Sequence, residues 1–340
     1  MFISHREGMP TSAANPLNLK RKMEYYHYFR LKGPPFQPAS PNSPVFFSPT
    51  HLAALATLES GLSAELSGLT LLTGEAGTGK TTLVYSLLQR DHKRVRIAHI
   101  DDPKLSFAEI MQLVLKQMHL YSYGAKNLGL EALDRLLELR GKEERIAIVV
   151  DESQVLRDEV LQQLGQLAQR TQERLYLILV GQPELATRLN KPELRQLNEQ
   201  ISSRGVLKPL SMAQAIEYVE HRLSVQGRSC SEIFQRGALK CLLRRSDGIP
   251  RKINMLCHTA MQAAYNAAER EVSYRTAKKT AALYYKSVKI TRSAFNAWPV
   301  AMPAVVVGAA LALLLGFVYP NVWSGWINHT VSVLAATGQR

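Results

Sequence analysis

The sequence predicts an α/β fold, a parallel sheet wound with helices, followed by a small helical lid and one C-terminal transmembrane helix. Three observations carry this expectation. Between residues 67 and 208, buried β-branched-rich runs alternate with helical patterns, which calls for a parallel sheet covered on both faces. From Ser211 onward the strand patterns stop and helical ones continue. Near the end of the chain, Val300 to Tyr319 is a run of 20 residues without a charge.

Taken in order, residues 1–22 are polar and without periodicity, and read as a disordered tail. Residues 23–66 hold a Pro-rich segment and a helix. Six prolines between Pro34 and Pro49 force an extended path. The helix from about Thr50 places Leu52, Leu55, Leu58, Leu62 and Leu66 on one face. The core, 67–208, contains strand patterns at 69–73, 95–101, 145–151 and 175–181. The lid, 209–290, reads as helices at 211–226, 233–245, 250–269 and 274–287. A basic linker at 291–298, a span at 299–320 and a short tail at 321–340 complete the chain.

The strand at 69–73 runs into "GEAGTGKTT", which fits G-x-x-x-x-G-K-[ST] and opens a helical pattern. Gly74, Glu75, Ala76, Gly77, Thr78, Gly79, Lys80, Thr81 and Thr82 therefore form a candidate phosphate-binding loop for ATP. The glycines let backbone N–H groups turn toward phosphates, and the helix N-terminus adds its positive end. Lys80 is placed to reach the β- and γ-phosphates, and the Thr81 hydroxyl to ligate Mg²⁺. A chance glycine-rich turn would lack both the spacing and the strand–helix context.

"IAIVVDES" supplies a second half: Asp151 at a strand end for the Mg²⁺ shell, then Glu152 to orient or deprotonate the attacking water. A salt-bridged strand-end pair is the competing reading. Gln182 ends the next strand, where it would sense the γ-phosphate or water, unless it is an exposed loop amide. Arg251 lies in the first turn of a lid helix, "GIPRKIN", where a cation works against the helix dipole. A phosphate between core and lid would explain it, and a surface arginine is the alternative.

With these residues in view, "GEAGTGKTT", "VVDESQ", "LVGQPEL", "LRQLNEQISSR", "KPLS" and "GIPRKIN" together resemble the ExeA/GspA-type AAA+ ATPases of the general secretion pathway. Related ATPases serve pilus assembly and DNA transposition. Upstream, "YYHYFRLKGPPF" and "FFSPTHLAAL" extend the likeness to about 23–290, with Met23 at the family's usual opening. The resemblance implies a P-loop AAA+ core, ATP hydrolysis at a subunit interface of a homo-oligomer, Gln182 as sensor 1 and Arg251 as sensor 2. It also implies an arginine finger. Gln200 stands where the family usually has the first arginine, so Arg204 is the substitute, with Arg195 behind it. The large periplasmic region of secretion members is not matched by the short segment after Tyr319.

As a helix, the run 300–319 would be about 30 Å long, the thickness of a bilayer's hydrocarbon core. Trp298, Tyr319, Trp323 and Trp326 flank it as interfacial anchors. A buried core helix is the alternative, but would rarely be apolar all round. Lys286, Lys289 and Arg292 precede the run, and no Lys or Arg lies as close behind it. The expected topology is a single pass through a bacterial inner membrane, ATPase domain cytoplasmic and C-terminus periplasmic.

Lys and Arg number 42 against 28 Asp and Glu, a formal charge of +14. That excess suits nucleic acid or an anionic membrane. No acidic residue follows Glu271, while basic ones crowd 275–292, so anionic lipid accounts for much of it. Cys230, Cys241 and Cys257 are too scattered for a metal site, and the N-terminus shows no secretory signal. Three functions follow: a membrane-tethered ATPase that assembles or remodels a secretion or pilus machine, a DNA-acting ATPase of the transposition-regulator type, or a nucleotide-gated scaffold with weak hydrolysis. The first expects an inner-membrane or periplasmic secretion or pilus component as partner.

Overall fold

The structure is a computed structural model, and it describes residues 24–37, 44–63, 68–92, 95–102, 104–119, 145–171 and 174–284. Residues up to 280 form one compact unit. A second, 281–340, is described only through 284. The expected tail at 1–22, linker at 291–298, span at 299–320 and final tail at 321–340 lie outside the described residues. Among the described residues no helix is long and apolar enough to cross a membrane.

Among the described residues five strands form one parallel sheet in the order β2-β3-β4-β1-β5. They are β1 (Gly68–Gly74), β2 (Val95–Ile100), β3 (Arg145–Val150), β4 (Leu175–Gly181) and β5 (Ile201–Leu207). The first four match the strand patterns of the sequence. The fifth, "ISSRGVL", is less apolar than the central strands; like β2 it lies at a sheet edge, and its residues alternate between covered and exposed. Its backbone pairs with β1, with a register shift at Leu69/Thr70, and that pairing rather than side-chain burial defines it as a strand.

Period-two alternation divides each central strand between two cores. Leu69, Leu71, Ile146, Ile148, Leu177 and Leu179 face α4 (Phe107–Gln117), α5 (Asp158–Arg170), α6 (Pro183–Leu189) and α7 (Arg195–Glu199). Leu72, Ala147, Val149, Ile178 and Val180 face α2 (Pro49–Ser63) and α3 (Lys80–Leu88). The short α1 (Tyr25–Tyr28) precedes them. Helix starts follow local chemistry: Pro49 takes the first position of α2, and Ser106 and Glu109 form a capping box on α4.

One sequence expectation is corrected on α2. Leu55, Leu58 and Leu62 are buried, but Leu52 is 53% exposed. The buried stripe continues instead through Ala54 and His51, which lie on the same side at helical spacing. Leu66 falls outside the described residues.

Beyond β5 the described residues form α8 (Met212–Ser224), α9 (Cys230–Ile233), α10 (Arg236–Arg245), α11 (Pro250–Asn266) and a helix over 274–284. Ser211 and Gln214 cap α8 with another reciprocal box. α1 packs on α11 through Tyr25, whose hydroxyl meets His258 Nδ1 at 2.9 Å, and through Tyr28 against Tyr265. Arg222 of α8 donates to the carbonyls of Pro35 and Gln37, so the Pro-rich segment is strapped to the lid.

Candidate nucleotide site

β1 is the second strand from the sheet edge, and its carboxyl end carries the candidate loop, where open parallel sheets place their ligands. Two glycines make the loop's shape possible. Gly77 has φ +86 and Gly79 φ +106, conformations that L side chains rarely adopt. A Cβ on Gly77 would also sit 2.6 Å from Arg251 Cβ. Arg251 N donates to Gly77 O at 3.2 Å, so the first turn of α11 rests directly on the loop.

Lys80, the first residue of α3, is only 4% exposed. Its Nζ donates to Gly74 O at 2.8 Å and Glu75 O at 3.2 Å. Burial lowers its pKa below the ordinary value of 10.5, while the carboxylates of Glu152 and Asp151 pull it back up and Arg251 adds to the lowering. Thr81 follows, and its hydroxyl donates to Asp151 Oδ2 at 2.7 Å.

Asp151 is buried at the carboxyl end of β3, with its N–H held by Ile100 O. Its other oxygen, Oδ1, accepts the Glu152 N–H at 2.8 Å. Glu152 has φ +49, an unusual left-handed conformation for a long side chain. Its Oε2 accepts from the amides of Gln154 and, at 3.5 Å, Gln182. Gln154 Oε1 in turn accepts the Gln182 N–H at 3.0 Å. The polar ends of β3 and β4 are thus one hydrogen-bonded unit.

A cavity of about 610 Å³ opens over the loop. Gly77 to Thr82 and Glu152 line its floor, and Arg251, Asn254 and Met255 of α11 line the lid side. Phe36 and Pro44 to Phe47 of the Pro-rich segment close another wall, with Phe46 edge-on to Tyr218 of α8. The sequence reading gave this segment no place at the site, because an aromatic-proline stretch has no phosphate signature. His51 was likewise missed.

The donor set suits the expected ligands. Loop amides, Lys80 and Arg251 are donors for polyphosphate, and the adjacent Thr81 hydroxyl and Asp151 carboxylate are hard oxygens of the kind Mg²⁺ takes. Arg204 is elsewhere: it lies exposed on β5, opposite Leu71 of β1, with Nη2 donating to Asn198 Oδ1 at 2.6 Å. Arg195 is exposed and paired with Glu199, and Gln200 is the C-cap residue between α7 and β5.

A family model described as an AAA domain matches residues 64–189. The General secretion pathway protein A of Aeromonas hydrophila is 39% identical over 257 residues, covering 73% of this chain. The match covers 46% of that relative, so the chain aligns with about half its length. Among solved structures, Drosophila ORC bound to DNA superposes with TM-score 0.58 at 19% identity, covering 85% of this chain and 73% of that one. The Aeropyrum pernix ORC2 protein in its ADP form gives 0.55 at 17%, covering 73% and 71%. At such identities these structures bear on the fold alone. β1 to β4 and the loop therefore belong to an AAA domain, in a chain similar to the General secretion pathway protein A of Aeromonas hydrophila.

Proposed function

We propose that this chain is a membrane-tethered AAA+ ATPase that hydrolyses ATP to assemble or remodel a cell-envelope secretion or pilus machine. The observation that carries hydrolysis is the Glu152 carboxylate, which lines the loop cavity and is oriented by Gln154 and Gln182. A carboxylate so held can take a proton from, or align, a water attacking the γ-phosphate. Lys80 and the loop amides bind the phosphates, and Arg251 closes over them from the lid. Thr81 and Asp151 would hold Mg²⁺, which when bound neutralises charge on the phosphate oxygens. Gln182 would report the state of the γ-phosphate to β4. Arg204 would reach the site of a neighbouring subunit in a homo-oligomer.

The placement in secretion rests on the likeness to the Aeromonas hydrophila protein. The tether rests on the uncharged run at 300–319, and the cytoplasmic side on the basic residues before it, which would also meet anionic lipid over 275–292. The turnover assay decides the enzymatic half: wild type should hydrolyse ATP, and Glu152→Gln should bind without turnover. Equal rates in the two would remove Glu152 as the base, and no turnover in either would leave the nucleotide-gated scaffold. Fractionation decides the tether: the full chain should sediment with inner membrane and resist salt extraction. A soluble chain that cosediments with DNA would favour the transposition-regulator reading.

A further inference from the structure

The buried pair Ser48–His51 lies beside the loop and belongs to none of its sequence motifs. Ser48 is fully buried and His51 is 6% exposed. His51 Nε2 is 2.9 Å from Thr78 O, and Nδ1 is 2.6 Å from Ser48 Oγ. A carbonyl only accepts, so Nε2 carries the proton in the first bond. Burial holds the imidazole's pKa below its ordinary value of 6.5. In the neutral ring Nδ1 is then the acceptor, and Ser48 donates to it. Ser48 Oγ also receives the His51 N–H at 3.4 Å, a capping contact at the start of α2. The ring's orientation is therefore fixed from the helix that carries it. With its oxygen fully buried, Ser48 is inaccessible as a nucleophile.

We infer that His51 is a positioning residue for the phosphate loop, pinning the Thr78–Gly79 peptide so that the Gly79 N–H joins the phosphate-binding amides. The reason is the planarity of the peptide unit. In a trans peptide the C=O and the following N–H point in opposite directions. Tying Thr78 O to His51 thus turns the Gly79 N–H away from the imidazole. Gly79 is a glycine at φ +106, a residue type whose backbone can turn at little steric cost, so without a tie this peptide is free to flip. The contact is close as well: a Cβ on Gly79 would come within 2.9 Å of His51 Nε2, so the glycine also makes room for the ring.

The inference rests on the loop binding nucleotide, and the test separates the two. ATP and ADP dissociation constants and thermal midpoints are measured for wild type, His51→Phe, His51→Gln and Lys80→Ala. Phenylalanine keeps the ring packing and loses both hydrogen bonds, while glutamine carries an amide donor at the reach of Nε2. His51→Phe should weaken both nucleotides about tenfold, the scale of one lost hydrogen bond to a charged ligand. His51→Gln should recover most of that loss. If His51→Phe binds as tightly as wild type while Lys80→Ala does not bind, the positioning role is wrong and the nucleotide site stands. If Lys80→Ala also binds normally, both fall. A loss in His51→Phe that tracks its thermal midpoint and is not recovered by glutamine would make His51 a packing residue only, and would overturn the inference.

Discussion

The phosphate loop and the β5 edge flank the same strand, β1, yet they treat a cation in opposite ways. Lys80 is buried among oxygens of its own chain, with two carbonyl acceptors and the Asp151 and Glu152 carboxylates near it. Arg204 is exposed on the edge strand, and its hydrogen bond goes to a neutral amide, Asn198. A buried cation satisfied within the chain marks a site complete in that half. A long cation on an open edge remains available to another molecule, at little desolvation cost until that molecule arrives. The contrast fits the division of labour proposed above, in which the loop would bind phosphate and Arg204 of β5 would act on a neighbour.

Breaking the loop side should give the largest effects. Lys80→Ala should lower ATP affinity by about a hundredfold or more, since it removes a charge-assisted contact and leaves its buried oxygen partners unpaired. Titration with a fluorescent nucleotide measures this, and affinity within a few-fold of wild type would remove Lys80 from the site. Glu152→Gln should leave affinity intact and cut turnover by about 10²–10⁴, the usual worth of a general base. Single-turnover hydrolysis separates those two readouts.

The edge side is sharpened by mixing. Arg204→Ala should lower turnover by at least about tenfold, and by up to about 10³ if it supplies what transition-state arginines do at the lower end, with nucleotide affinity unchanged. Combined with Glu152→Gln subunits it should regain part of that activity, because each variant damages a different half of one interface. Strictly additive activity, at concentrations where the protein assembles, would leave Arg204 a surface residue.

The same contrast explains what was legible in the sequence. "GEAGTGKTT" and "IAIVVDES" were readable because phosphate chemistry demands particular residue types at fixed spacing. β1, β3 and β4 were readable because burial on both faces demands continuous apolar runs, and β2 because its residues alternate in the manner of a strand. β5 escaped because Ser202, Ser203, Arg204 and Gly205 interrupt its apolar residues, and its pairing with β1 rather than side-chain burial makes it a strand. The wall of Phe36 and Pro44 to Phe47 escaped because its place depends on residues nearly two hundred positions away: Arg222 grips the Pro35 and Gln37 carbonyls beside Phe36, and Tyr218 packs on Phe46. Leu52 misled because leucine counts as apolar wherever it falls, whereas the buried position on that helix face belongs to His51 and its hydrogen bonds.

The smallest effect expected lies outside both regions, at Arg188 of α6. Its guanidinium donates to Gln154 O at 2.6 Å and Leu156 O at 2.8 Å, and it pairs with Asp158. It therefore holds the turn from which Gln154 reaches Glu152 and Gln182. Arg188→Ala should cost about 1–2 kcal/mol of stability, the worth of a charged hydrogen-bonding group that is partly exposed. Turnover should fall a few-fold through looser placement of Glu152, with ATP affinity unchanged. The pair also has an acid signature. The hydrogen bond from Arg188 holds the Asp158 carboxyl below its ordinary 3.8. A depressed carboxyl stabilises the fold above its unfolded value, and that contribution is lost as pH falls through the folded value. Asp158→Asn should flatten this part of the acid limb in thermal melts taken below pH 4, by a small amount because the carboxylate is 34% exposed. If Arg188→Ala loses stability but keeps full turnover, the turn is held independently of this arginine, and Gln154 orients Glu152 without it.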